Sequence, residues 1–419
     1  MCLFFSSILA HHAQVYFMRY GDFIFMTTSK IEQATRFAKT SAAFVRNAVQ
    51  RRINKENYIL SDKTDNEVIF QDGIMSVKYY RPLTEDTLVL EGGQTLHVRR
   101  RRFAIPLVMV PPLGVFAWIF DLLADRSLVR YFLAHGFEVY LIDWGKPTID
   151  DAGLSLENYT LDWFPKALAA IREHSESDEV SLLGYCMGGL LSLMYLAAHP
   201  EDKNVANLIT IASPVDMHKM NPITGPMSQL LSIPASMIRK RGFQLHQIAD
   251  ERFHVDGKVL SWMFKMTNPL GVVSSYIELI RNLSDDDYVA RYMTMNEWFT
   301  NMPDYPGATV QEMMRKMGLY NRMAKGKLNI GNRVADFSNI TANILAFAGD
   351  NDKIVSIGGA RAIMTVVSST DKTFHIVPGG HAGVFTGSKA VHTTWSISKD
   401  WLQLRSKAYP RPVNKSNKS

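Results

Sequence analysis

At 419 residues, with 47% hydrophobic and 21% charged content, the chain is long enough for one large core or for a core with an inserted cap, and it is neither disordered nor fibrous. The net charge of +6 favours acidic partners. Neither an RNA-binding aromatic signature nor zinc-finger spacing accompanies the basic residues, so no nucleic-acid partner and no metal is expected. The only cysteines are Cys2 and Cys186, so the folded body holds one thiol, which suits a reducing compartment.

Near the N-terminus, LFFSSILA and FIFM are apolar, but His11, His12, Arg19 and Asp22 interrupt them well short of the roughly 18 apolar residues that a membrane span needs. There is no basic region before Leu3, as a signal peptide would have. Met26, followed by Thr27-Thr28-Ser29, is an alternative start to Met1.

From Ser29, a candidate N-cap, Ile31, Ala34, Ala38, Ala42, Val45 and Val49 recur at helical spacing, with Lys30, Arg36, Lys39, Arg46 and Arg51 mostly elsewhere. This predicts a basic amphipathic helix, packed on its own domain or docked on an anionic surface or a partner.

Residues 66–82 alternate apolar and polar around Asp72-Gly73, the pattern of a hairpin. Beyond them come short apolar runs at 105–112, 137–145, 180–186, 207–214, 343–349 and 373–379, which suit strands buried on both faces of a parallel sheet. Helical segments separate them, including 127–136 with Gly136 as a stop, 160–173, and the stretch after residue 186. The Arg99–Arg102 run just before the strand at 105 is expected on a solvated face at the far end of the sheet.

The alternation predicts an α/β fold with helices on both faces of a mostly parallel sheet. The roughly 130 residues between Pro214 and Ile344 are too many for one crossover and hold 13 of the 21 methionines, so they read as a mostly helical cap, deformable over an apolar site. The expected organisation is an N-terminal segment at 1–60, a core at 61–214 and 340–405, a cap at 215–339, and a flexible basic tail at 406–419.

Between the run at 180–186 and the helix after it, Gly184-Tyr185-Cys186-Met187-Gly188 has the form of a nucleophile elbow, with cysteine where serine is usual. The sharp turn demands small neighbours, and Gly184, Gly188 and Gly189 supply them. The helix N-terminus and the Met187 N–H favour a thiolate and an oxyanion. In an α/β-hydrolase fold, an acid after a later strand and a histidine after the last strand complete such a site. Asp352, preferred over Asp350, and His381 stand at those places, whereas His375, inside its strand, is expected in the core. A second oxyanion N–H is expected from Leu113 or Gly114, after Pro111 and Pro112, which have none to donate.

These residues resemble the poly(3-hydroxyalkanoate) synthases, closest to the catalytic subunit of the two-subunit class III type. The likeness runs from about Pro106 to Trp401 and includes VPPL, SLVRYFLAHGFEVYLIDWGKP, VSLLGYCMGGLLSLMYLAAHP, LITIASPVDM, MNEWFTNMPD and PGGHAGVF. It implies an α/β-hydrolase fold and a polymerising acyltransferase that converts 3-hydroxyacyl-CoA, of short-chain type such as 3-hydroxybutyryl-CoA, into polyester through an acyl-Cys186 thioester. By the same resemblance His381 is the general base and Asp352 the carboxylate that orients it or helps activate the incoming hydroxyl. Lys353 stands where such synthases commonly carry histidine.

No cofactor is implied, CoA entering as the thioester substrate. The implied partners are 3-hydroxyacyl-CoA, the growing polyester and its granule surface, and a second synthase subunit, in a homodimer or hetero-oligomer in the cytoplasm. Two other readings stay open: a cysteine-dependent α/β-hydrolase of the thioesterase or dienelactone-hydrolase kind, which would use the same three residues, and a granule-surface binding protein.

Overall fold

The six apolar runs are all strands of one eight-stranded sheet, and the alternating stretch supplies the other two. The computed structural model describes residues 28–101, 103–220, 249–267 and 269–406. The expectations for residues 1–27, for the LLSIPASMI part of the cap, for Arg102 and for the tail from 407 lie outside the described residues.

In chain order the strands are β1 (Asn66–Asp72), β2 (Met75–Tyr80), β3 (Leu107–Val110), β4 (Val139–Asp143), β5 (Val180–Tyr185), β6 (Val205–Ile211), β7 (Asn343–Gly349) and β8 (Lys372–Val377). Their spatial order is β1-β2-β4-β3-β5-β6-β7-β8. The β1–β2 and β2–β4 pairs are antiparallel and all the others parallel. Gly73, at φ +60°, closes the first hairpin, a backbone conformation that a residue with a Cβ seldom adopts.

The apolar runs lack alternation because both faces of the sheet are covered. Val108, Val110, Tyr140 and Ile142 point to one side, where helices α3 (Phe164–Ser175) and α4 (Met187–Ala198) lie; Leu107, Met109, Val139 and Leu141 point to the other, against α2 (Leu128–Ala134) and Trp401. All twelve residues of α4 are buried. Only a helix covered all round reads so uniformly apolar.

Its outer cover is a hairpin of Lys327–Ile330 and Arg333–Asp336, whose Leu328, Ile330 and Ala335 belong to the same core cluster. That hairpin falls inside the stretch assigned to the cap by length, yet it packs on the sheet domain. A further difference is at β8, the last strand of the sheet. With a neighbour on one side only, it leaves His375 half-buried against Phe347 and Ile376 48% exposed, so His375 is not a core residue.

The cap contributes α5 (Gly257–Met266), α6 (Pro269–Arg281), α7 (Asp286–Thr300) and α8 (Gly307–Glu312), the last running into a π-helical turn, Met313–Leu319. Arg291 of α7 bonds Asp125 of the sheet domain at 2.5 Å. The N-terminal helix α1 (Thr28–Ile53) packs on the cap: Asn47 Nδ2 donates to the Leu283 carbonyl at 2.9 Å, and Arg46 pairs with Asp286. Its Val45, Val49 and Ile53 remain exposed. Among the described residues no helix is long and apolar enough to cross a membrane.

Candidate active site

At the C-terminal end of β5 the chain turns directly into α4, with Cys186 at the bend. Its φ of +50° is one of the few positive values at a non-glycine residue. Such a conformation costs about 1–3 kcal/mol and persists only where its surroundings impose it. Here the Cys186 N–H bonds the Ile211 carbonyl of β6 at 2.8 Å.

The glycines are required by close approach. A Cβ on Gly184 would lie 2.5 Å from Gly189 Cα, and one on Gly188 would lie 2.0 Å from the Val110 carbonyl oxygen. The helix therefore starts hard against the sheet, with the thiol held out of the turn.

After β7, Asp352 is buried. Its Oδ1 accepts the N–H groups of Ile354 at 2.8 Å and Val355 at 2.9 Å, which fixes the carboxylate, while Oδ2 lies 2.8 Å from His381 Nδ1. Asp350 is exposed and is spent on the Gly379 N–H. Lys353 is exposed. Of the two aspartates weighed from sequence, Asp352 is the one beside the histidine.

His381 follows β8, and its imidazole is also hydrogen-bonded to Cys186. Burial acts against the charged ring. The electrostatic influence of Cys186, and after it the bond to Asp352, outweigh that and push His381 up to about 10.

For Tyr185, next to the cysteine, the sequence pattern assigns no role. Its hydroxyl donates to the His381 carbonyl at 3.2 Å and its ring stacks on Phe385 at 4.4 Å, so it seats the histidine loop. Adjacency to the elbow was the available signal.

A cavity of about 230 Å³ stands over Cys186 and His381. The sheet domain lines it with Gly114, Met187 and Ile354, and the cap with Met263, Phe264, Met302, Val310, Met313 and Met314. Its walls are almost wholly carbon. Met187, the first residue of α4, and Gly114 both border it, while the Leu113 side chain is buried in the core. The cap half of this lining was expected only as methionine-rich chain. Among the described residues no group of His, Cys, Asp and Glu is arranged to hold a metal ion.

The alpha/beta hydrolase fold family matches residues 119–388. A poly(3-hydroxyalkanoate) polymerase subunit PhaC of Allochromatium vinosum is 30% identical over 323 residues, covering 77% of this chain and 87% of that one. The protein of the same name from Thiocystis violacea is 28% identical, over 84% of this chain and 93% of its own. A soluble variant of monoglyceride lipase from Saccharomyces cerevisiae, solved with a substrate analogue, superposes with a TM-score of 0.51 over 83% of this chain at 13% identity, a likeness of fold alone. By these matches the chain belongs to the alpha/beta hydrolase superfamily and, within it, to the family of poly(3-hydroxyalkanoate) polymerase PhaC subunits.

Proposed function

We propose that the protein polymerises 3-hydroxyacyl groups from coenzyme A thioesters, with Cys186 carrying the acyl chain, His381 moving the proton and Asp352 holding the imidazole. One observation carries this reading: the Cys186 thiol meets an imidazole whose other nitrogen is bonded to a buried carboxylate, at the foot of a carbon-walled cavity. The polymerase names of the relatives supply the substrate class.

In the first half-reaction the Cys186 thiolate attacks the thioester carbonyl. The Sγ–C bond forms as the C–S bond to CoA breaks, and the departing CoA thiolate takes the proton of His381. One thioester replaces another, so the acyl group stays activated. Neutral His381 then accepts the proton of an incoming 3-hydroxyl, whose oxygen attacks the acyl carbon. An oxygen ester forms, the thiolate leaves, and the starting ion pair is restored. The Met187 N–H, with that of Leu113 or Gly114, serves the oxyanion in both steps.

Water would end the chain by hydrolysis, and the carbon walls of the cap disfavour it. The relatives are named as subunits, and α6 exposes Val272, Val273 and Ile277; both support assembly with a second chain. The granule surface is proposed as the site of action.

Incubation of the purified protein with 3-hydroxybutyryl-CoA, following CoA release and insoluble polyester, tests the reading. Polyester is expected, and Cys186→Ala should yield neither product. CoA release with only free 3-hydroxybutyrate would sink the synthase assignment in favour of a hydrolase.

A further inference from the structure

The carbon lining of the cavity carries one phenol from the cap, that of Tyr305. Its backbone is clamped: the Val255 N–H donates to the Tyr305 carbonyl at 3.1 Å, and the Tyr305 N–H donates to the Val255 carbonyl at 2.8 Å. The preceding residue tightens the clamp. Asp304 Oδ2 lies 2.9 Å from His254 Nε2, and its Oδ1 accepts the Gly257 N–H at 2.8 Å. The ring therefore has little freedom to move with the flexible methionines around it.

It reaches across to the sheet domain. A Cβ built on Gly114 would lie 3.3 Å from Tyr305 Cε2, so the ring edge rests on the loop proposed to serve the oxyanion. The phenol is close enough to Cys186 to feel its charge. Burial first, and that charge second, push its ionisation well up, so it stays a hydroxyl at any physiological pH. Among the described residues no hydrogen-bond partner takes this hydroxyl.

A second donor in the same lining is also uncommitted: Trp298 is 2% exposed and, among the described residues, its Nε1 has no partner. Uncommitted donors in a carbon-walled cavity mark a place for a ligand that brings its own oxygen acceptors.

We propose that Tyr305 is a specificity-determining residue whose hydroxyl bonds the 3-oxygen of the acyl group while that group is being transferred to Cys186, so that the site selects 3-hydroxyacyl over unsubstituted acyl thioesters. This rests on the acyl-Cys186 reading above. An oxygen on the third carbon is the only polar atom that separates 3-hydroxybutyryl from butyryl. A clamped phenol can distinguish them where methionine and phenylalanine walls cannot.

The test is single-turnover CoA release from 3-hydroxybutyryl-CoA and from butyryl-CoA, in the wild type and in Tyr305→Phe. The wild type should acylate faster with the hydroxylated substrate. Tyr305→Phe, which keeps the ring, should reduce that ratio by roughly tenfold, the scale of one hydrogen bond, chiefly by slowing the hydroxylated substrate. An unchanged ratio, or an equal loss with both substrates, overturns the proposal.

Should Tyr305→Phe acylate with neither, binding affinities for the two thioesters in Cys186→Ala and Cys186→Ala/Tyr305→Phe give the same comparison, with the same outcomes deciding. CoA release that persists in Cys186→Ala is a separate result. It would remove the nucleophile assignment and leave the ratio to be read on its own.

Discussion

The floor and the roof of the cavity are built on opposite principles. On the floor, Cys186, Asp352 and His381 sit on loops at the ends of β5, β7 and β8, where positive φ, glycine contacts and paired hydrogen bonds to one carboxylate leave each side chain a single position. Above it, Met263 comes from a helix, Met302 from the loop after α7, and Met313 and Met314 from a π-helical turn, and these four side chains meet the chemistry only with carbon and sulfur. In the mechanism proposed above, thioester exchange needs fixed geometry at one carbon atom, and a chain that lengthens with every turnover needs walls that yield.

The comparison breaks most sharply if changes on the floor prove mild. Asp352→Asn and His381→Gln should each lower polymerisation by about 10⁴-fold, the loss seen when the orienting carboxylate of a comparable triad is replaced. Initial rates of CoA release measure it. The fold should survive both changes, as far-UV circular dichroism would show, because neither adds volume to the core.

A paired experiment sharpens the contrast. Gly188→Ala forces a Cβ to 2.0 Å from the Val110 carbonyl oxygen, a backbone atom that cannot turn aside, so we expect a loss of about 3 kcal/mol in denaturant unfolding. Met314→Ala removes a flexible side chain from the roof. It should cost about 1 kcal/mol and shift the preference toward longer 3-hydroxyacyl thioesters, measured as relative kcat/KM across chain lengths. Equal effects of the two on stability would mean that the roof is as tightly specified as the floor.

The two regions also differed in how far they were legible in the sequence. The floor could be read because each of its demands falls on a short local stretch: a glycine-flanked cysteine after an apolar run, an aspartate after NILAFAG, a histidine after TFHIVPGG. The roof could not. Which of 13 cap methionines face Cys186 depends on how helices pack far from it in sequence, and Tyr305 takes its place from a backbone pair with Val255, 50 residues earlier. The hairpin at 327–336 falls within the stretch read as cap because it is short and continues the cap's chain, although its buried positions alternate as strand positions do. His375 misled because an edge strand can be as apolar in sequence as a central one.

The smallest expected effect tests whether the floor acts as one charged unit. In the folded protein His381 is raised from its ordinary 6.5 to about 10, so protonation of this ring favours the folded state in full below pH 6.5, and that contribution is lost as pH rises toward about 10. Of the interactions that raise it, the charge of Cys186 is the largest and the bond to Asp352 follows. Cys186→Ala should therefore leave the Asp352 bond in place but bring the titration of His381 down, followed by nitrogen-15 shifts of the imidazole. The stability that this ring supplies should then be lost at a lower pH than in the wild type. A ring that titrates at the same pH with and without the sulfur would mean that Asp352 alone holds the proton, and that cysteine and histidine do not share one charge state before substrate arrives.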